Sequence, residues 1–216
     1  MTKFFLLMAF VFAAIATLAQ QDQKAKEILD KVTQTTQAYK SIEATFSFEM
    51  ENKTRNVKEI NTGSIILKGN KYKVHLNELG VEVYSDGKNI WTYMAEANEV
   101  SISGFNNDDE DMMDPAKVFT IYQNGFDYKL VGEELQNGKS MYSIDLFPQD
   151  KNNNYSQIRV HIDKTKMLIN SAIMKGKDGN TYTVKVDQFK TDKPYNDSFF
   201  VFDTSKHPNV EVIDMR

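Results

Sequence analysis

Between Asp22 and Tyr39 the apolar residues Ala25, Ile28, Leu29 and Val32 recur three and four apart, while Lys24, Lys26, Glu27, Asp30 and Lys31 fill the other positions. This spacing predicts one amphipathic helix with a single buried stripe. From Ile42 the period becomes two, with Ile42, Ala44, Phe46, Phe48 and Met50 alternating with Glu43, Thr45, Ser47, Glu49 and Glu51. That alternation predicts a strand with one apolar and one wet face. Strand-like runs follow over Glu59–Lys68, Lys71–Asn77, Val81–Ser85, Asn89–Tyr93 and Glu99–Ser103. Gly69-Asn70, Gly80 and Asp86-Gly87 separate several of them, and connections this short join antiparallel neighbours.

An acidic break from Asn106 to Asp114 interrupts the pattern. Asp114-Pro115 then supplies an N-cap and a first helical position for a short helix through Gln123, with Gly125 placed to end it. A second set of strands is expected over Tyr128–Glu133, Ser140–Phe147, Gln157–Asp163, Leu168–Met174, Thr181–Phe189 and Val210–Ile213. Eleven or twelve short antiparallel strands in one continuous unit must curl into a sandwich or an incompletely closed barrel. Two short helices cover little of such a sheet, so part of its apolar face is expected to remain as a cavity.

At the N-terminus Lys3 precedes an unbroken apolar run from Phe4 to Ala16, and Thr17-Leu18-Ala19 places small residues at a cleavage position. Residues 1–19 therefore read as a secretory signal, with 20–216 as one exported domain. The run is short for a membrane span. Cleavage after Ala19 would leave Gln20 first, so no lipid anchor on cysteine is expected, and a soluble, unanchored product follows.

Composition narrows the chemistry. The 216 residues contain no cysteine and carry a formal net charge of −4, which becomes about −5 once Lys3 is lost with the signal. Thiol nucleophiles, disulfides and zinc–thiolate sites are excluded, and an acidic chain is a poor match to nucleic acid. His75, His161 and His207 lack a second ligand at metal-binding spacing, and His75 and His161 fall on the polar phase of their strands, so both are expected at the surface. Asp150, Asn152 and Asn154 match the start of a calcium loop, but Tyr155 stands where glycine is needed and His161 where the closing glutamate belongs. No nucleophile elbow or phosphate loop occurs, and no histidine–carboxylate pair is nominated by spacing. The expectation is a protein that is not an enzyme and needs no cofactor or metal.

What remains is an apolar and aromatic set assigned by alternation to one strand face: Phe46, Phe48, Ile66, Tyr72, Val74, Val83, Trp91, Tyr93 and Phe147. These serve equally as core or as the lining of a cavity. The run Ser85-Asp86-Gly87-Lys88-Asn89-Ile90-Trp91-Thr92-Tyr93, followed by Glu99-Val100, resembles the signature of the LolA-like outer-membrane lipoprotein carrier family. The frame around it is also similar: Ile28-Leu29-Asp30-Lys31-Val32, Tyr39 to Phe46, Gly63 with Ile65 to Lys68, Asp114-Pro115, Phe200-Val201-Phe202 and Val210 to Asp214.

The resemblance implies an unclosed antiparallel β-barrel of about eleven strands whose concave apolar face is lidded by helices. It implies a periplasmic carrier that takes acylated lipoproteins from an inner-membrane ABC-type release complex to an outer-membrane acceptor, working as a monomer. Phe46, Phe48, Ile66, Tyr72, Val74 and Trp91 would then line the lipid site. Val118, Phe119, Ile121 and Tyr122 would form its helical lid, and Tyr72 would contact the release machinery. Many members place arginine and proline before that aromatic, where this chain reads Lys68-Gly69-Asn70-Lys71-Tyr72, so the arginine's latch role is not carried over. An acyl chain of about 15 methylenes costs roughly 12 kcal/mol to expose to water, so acylated cargo needs such a vehicle. The other readings are a lipid- or lipoprotein-sensing module of the same fold and a carbohydrate-binding β-module, which should expose its aromatics in a flat row.

Overall fold

The computed structural model describes residues 23–104, 121–123 and 125–216. The expected signal segment, the acidic break and the expected middle helix up to residue 120, including Val118 and Phe119, lie outside them. Helix α1 covers residues 23–37, and Ala25, Ile28, Leu29 and Val32 are all buried on one stripe, as their spacing predicts. The Thr35 and Thr36 hydroxyls donate to the carbonyls of Lys31 and Val32 in its last turns. Such β-branched residues favour the helix less than the lysines and glutamate before them.

Twelve strands follow: β1 (Ile42–Asn52), β2 (Val57–Lys68), β3 (Lys71–Leu76), β4 (Val81–Ser85), β5 (Asn89–Met94), β6 (Glu99–Gly104), β7 (Phe126–Gln136), β8 (Lys139–Pro148), β9 (Tyr155–Asp163), β10 (Leu168–Gly176), β11 (Thr181–Thr191) and β12 (Glu211–Asp214). They form one sheet in the order β12-β6-β5-β4-β3-β2-β1-β11-β10-β9-β8-β7. All neighbours are antiparallel except β12, which lies parallel to β6. The end strands β7 and β12 are not paired with each other, so the barrel is open. The described part of the expected middle helix is a single 3-10 turn, Ile121–Gln123, and Gly125 beyond it has φ 76°, a left-handed stop that glycine tolerates without strain.

Cross-strand register divides the sheet into two faces. The inner face carries α1, whose apolar stripe packs on Leu130, Ile144, Leu146, Ile158, Val160 and Ile162. Following partners from Val160 to Ala172, Val184 and Phe48, and along neighbouring rows to Phe46, Ile65, Val74 and Val83, keeps to that face. The register of β1 against β11 shifts between Thr45 and Phe46, and Gly63 of β2 stands directly opposite Phe46. A bulge facing a glycine is a place where a sheet bends sharply.

The outer face is crossed by residues 192–210. This strap starts where the Lys40 N–H donates to Asp192 and the Ser41 hydroxyl to the Lys193 carbonyl. It passes Glu43, which accepts from Lys193 and from the Tyr195 hydroxyl. Lys68 and Lys71 then hold Asp197 at 2.9 and 2.6 Å. Phe202 packs on Tyr84 and Tyr93, His207 lies on Tyr93, and Asn98 donates to the Pro208 carbonyl before β12 joins β6. The strap therefore ties β1 through β6 from outside. Lys68 and Lys71, the residues nearest to the family's missing arginine, are engaged by it.

Candidate functional site

Two buried clusters stand on the inner face. One is the α1 seat, and the other gathers Ile42, Leu67 and Tyr72 with Tyr39, Ile65, Val74, Val83 and Phe189 around them. Between them lie Phe46, Phe48, Met50, Tyr182, Val184 and Val186, which belong to neither cluster and are all half-buried. Phe48 and Tyr182 stack, centroids 6.0 Å apart and planes 21° apart. Tyr182 keeps its hydroxyl at the end of the strand, where it accepts from Asn180 at 3.1 Å. Among the described residues, the charged side chain on this stretch of floor is Glu59, opposite Met50 at its margin. The result is an apolar trough, floored by β11, β1, β2, β3 and β4, that α1 does not cover among the described residues.

The residues nominated from sequence distribute unevenly. Phe46, Phe48 and Val74 face the trough. Tyr72 is on the same face but only 2% exposed, walled in by Ile42 and Leu67, so in this conformation it presents no surface to a partner. Ile66 and Trp91 do not belong to the trough. Ile66 pairs with Glu43 and Lys73, Lys73 with Tyr84, and Tyr84 with Trp91, which sets all of them on the outer face. Tyr93 and Phe147 are also on that side. The assignment of all nine apolar residues to one face is thereby corrected. Alternation identifies a face only where the other one is wet, and here the outer face carries Tyr84, Trp91 and Tyr93 packed beneath the strap.

The signature segment is architectural in this chain. Asp86 accepts from the N–H groups of Lys88 and Asn89, each at 2.8 Å, which fixes the β4–β5 turn. Trp91 and Tyr93 then pack against the cluster of Tyr84, Val100 and Phe202 beneath the strap. Of the expected lid, Tyr122 is buried against α1, with its hydroxyl donating to Asp30 at 2.9 Å and lying 3.1 Å from the Thr33 hydroxyl. Burial raises the Tyr122 pKa, and the hydrogen bond from Lys26 holds that of Asp30 low. Ile121 lies in the same turn. A cleft of about 670 Å³ opens beside it, lined by Lys26, Asp30, Tyr122, Phe126, Tyr128 and Gln149 among others, and so is far more polar than the trough.

His161, expected at the surface, is 6% exposed on the outer face. It sits between the Ser171 hydroxyl at 2.9 Å from Nδ1 and a Glu134 carboxylate oxygen at 3.0 Å from Nε2, with burial lowering its pKa. Glu134 also accepts from Ser143, and Arg159 makes a two-pronged bond to Asp145 at 2.6 and 2.8 Å. A polar network spread over four strands can bury polar-phase residues that local alternation assigns to water. Among the described residues no group of three histidine or acidic side chains converges on a metal-binding point. The Asp150 carboxylate accepts from the Asn152 N–H at 2.8 Å within its own turn.

Among the described residues no helix is long and apolar enough to cross a membrane. In solved structures the fold recurs in an uncharacterized conserved protein from Thermus thermophilus, 15% identical with a TM-score of 0.62, over 88% of this chain and 99% of that one. It recurs in MucB, 15% identical with a TM-score of 0.51, over 88% of this chain and 66% of that one. A LolA superfamily protein from Nitrosomonas europaea is 12% identical, with a TM-score of 0.46 over 82% of this chain and 97% of that one. Among curated proteins nothing matches. The sequence profile described as "Outer membrane lipoprotein carrier protein LolA" matches residues 15–205, which takes in α1, the trough, most of the strap and all of the sheet but β12, and the chain accordingly belongs to that family.

Proposed function

We propose that this protein is an exported, periplasmic carrier that holds the acyl chains of lipoproteins released from the inner membrane and delivers them to the outer membrane. The observation that carries the reading is the trough: a half-buried, uncharged floor of Phe46, Phe48, Met50, Val184 and Val186 between two packed clusters. An ordinary core would fill such a surface, because interiors pack to near-crystalline density. A hydrocarbon chain laid there removes apolar surface from water on both sides, at roughly 25 cal/mol per Å². No catalytic group is required. The same geometry disfavours a carbohydrate module, since the aromatics sit in a recess and Trp91 packs beneath the strap.

Delivery requires a donor and an acceptor in the two membranes, an ABC-type release complex and an outer-membrane receptor by family analogy. The test is to incubate inner-membrane vesicles bearing a triacylated lipoprotein and its release complex with the purified protein and ATP. Recovery of lipoprotein in the soluble fraction, in a one-to-one complex, is the expected result. If the lipoprotein stays with the vesicles while a known carrier extracts it, the reading is wrong.

A further inference from the structure

Gly63 stands on the trough side of β2, directly across from Phe46. A Cβ built on it would lie 2.7 Å from Cζ and 3.1 Å from Cε2 of the Phe46 ring, and 2.6 Å from the His75 carbonyl oxygen. The ring tip thus leans over onto β2 and occupies the space that any other residue at 63 would claim. Its backbone needs no left-handed conformation, so here the glycine is required for room and not for φ.

Phe46 lies where the two parts of the floor meet, with Val186 on one flank and Gly63, then Leu76, on the other. With the ring down, the floor runs unbroken from Tyr182 and Val184 on β11 to Val74 and Val83 on β3 and β4. Four strand spacings of about 4.8 Å make this about 19 Å, a span suited to a long acyl chain lying across the strands. With the ring raised, the same floor would be cut at β1.

We propose that Gly63 is a specificity-determining residue of the trough: by letting the Phe46 ring lie against β2 it keeps the floor continuous, so that long acyl chains are bound in preference to short ones. The proposal rests on the acyl-carrier reading and adds to it the ligand dimension that the site measures. Phe46 is the floor element and Gly63 the residue that positions it.

Saturated fatty acids of 8 to 18 carbons are titrated against the full protein by displacement of an environment-sensitive fluorescent fatty acid. For the native chain the affinity should climb about fourfold per added methylene through the long-chain range. In Gly63→Ala the climb should stop several carbons earlier, with the 8-carbon acid bound as in the native protein, and Gly63→Ala combined with Phe46→Ala should restore the climb. Because the new Cβ also meets the His75 carbonyl, circular dichroism melts accompany each variant. Should Gly63→Ala fail to fold, Phe46→Trp with Gly63 intact makes the same test, since a larger ring cannot lie flat in that space, and early levelling is again expected. A folded variant whose chain-length profile matches the native one, or one weakened equally at every length, overturns the role of Gly63. A native protein that binds no chain of any length overturns the carrier reading itself.

Discussion

Replacing Phe48 with aspartate puts a carboxylate in the middle of the trough floor without touching the ladder of β1. Phe48 is half-buried and stacked on Tyr182 at 6.0 Å. Losing the aromatic pair costs the fold about 0.5–1.5 kcal/mol. Losing half of a full side-chain burial costs about another 1–1.5 kcal/mol. A domain of ordinary stability, about 5–15 kcal/mol, survives both. Cargo suffers differently. The carboxylate retains its hydration, so the methylenes that would lie on the ring stay wet, and three of them at about 0.8 kcal/mol each remove about 2.4 kcal/mol, or roughly 60-fold in affinity. Leu135→Asp is the matched control, because Leu135 is 73% exposed at the end of the edge strand β7. Both variants are compared by titration with a fluorescent 16-carbon fatty acid and by thermal melts. Native affinity in folded Phe48→Asp, or an equal loss in Leu135→Asp, would refute the placement of the binding floor.

The outer face calls for opposite outcomes. Trp91→Ala should lower stability by about 2–3 kcal/mol by thinning the cluster under the strap, yet leave fatty-acid affinity unchanged; a selective loss of binding would contradict the register. Glu43 and Asp197, which anchor the strap, have pKa values lowered to about 2, the first chiefly by its hydrogen bond from Lys193 and the second by that from Lys71. Because the folded values lie below the ordinary ones, their contribution is complete above about pH 4.5 and fades as the pH falls towards 2. Fluorescence of Trp91, the chain's single tryptophan, should report strap loosening over that window, and Asp197→Asn should diminish the pH dependence. Arg159→Ala leaves the buried Asp145 without its two-pronged partner, and a stability loss of about 1–3 kcal/mol is expected in denaturant titrations at neutral pH, the lower range reflecting the half-exposed guanidinium.

Where one face of an element is covered and the other wet, its residues announce it. Ala25, Ile28, Leu29 and Val32 identify α1 and its buried stripe, and the alternation from Ile42 to Met50 identifies both β1 and the face that bears the trough. The side of Ile66 and Trp91 could not be read the same way, because Ile65 and Ile66 are adjacent and β5 is apolar on both phases. The deciding contact is the strap, which reads locally as a loop with Asp, Pro and Ser. Its ion pairs join Lys68 and Lys71 to Asp197, far away in sequence, so no window around either end contains the interaction. A signal did exist: Tyr195, Phe199, Phe200 and Phe202 crowd four aromatics into a segment otherwise suited to solvent, which a free loop would not need. His161 was illegible for a related reason, since its partners Ser171 and Glu134 come from two other strands.

Among the described residues, Phe46, Phe48, Met50, Val184 and Val186 are half-buried and belong to no buried cluster, so this part of the inner face gains less from packing than a filled core would. These residues lie on β11 and β1, between the seat of α1 and the cluster of Ile42, Leu67 and Tyr72. The strap crosses behind β1 to β6, on the other side of the sheet, and brings Phe202, Tyr84 and Val100 into a buried cluster of its own on the outer face. It also adds the Glu43 and Asp197 anchors, which link the β1 and β2–β3 edges without entering the trough. Stabilising the sheet from behind keeps the strands, and with them the floor, in register whether or not a chain lies on it. The strap and the unfilled trough are therefore two halves of one arrangement, with the aromatic signature around Trp91 serving the first so that Phe46, Phe48 and Gly63 remain available for the second.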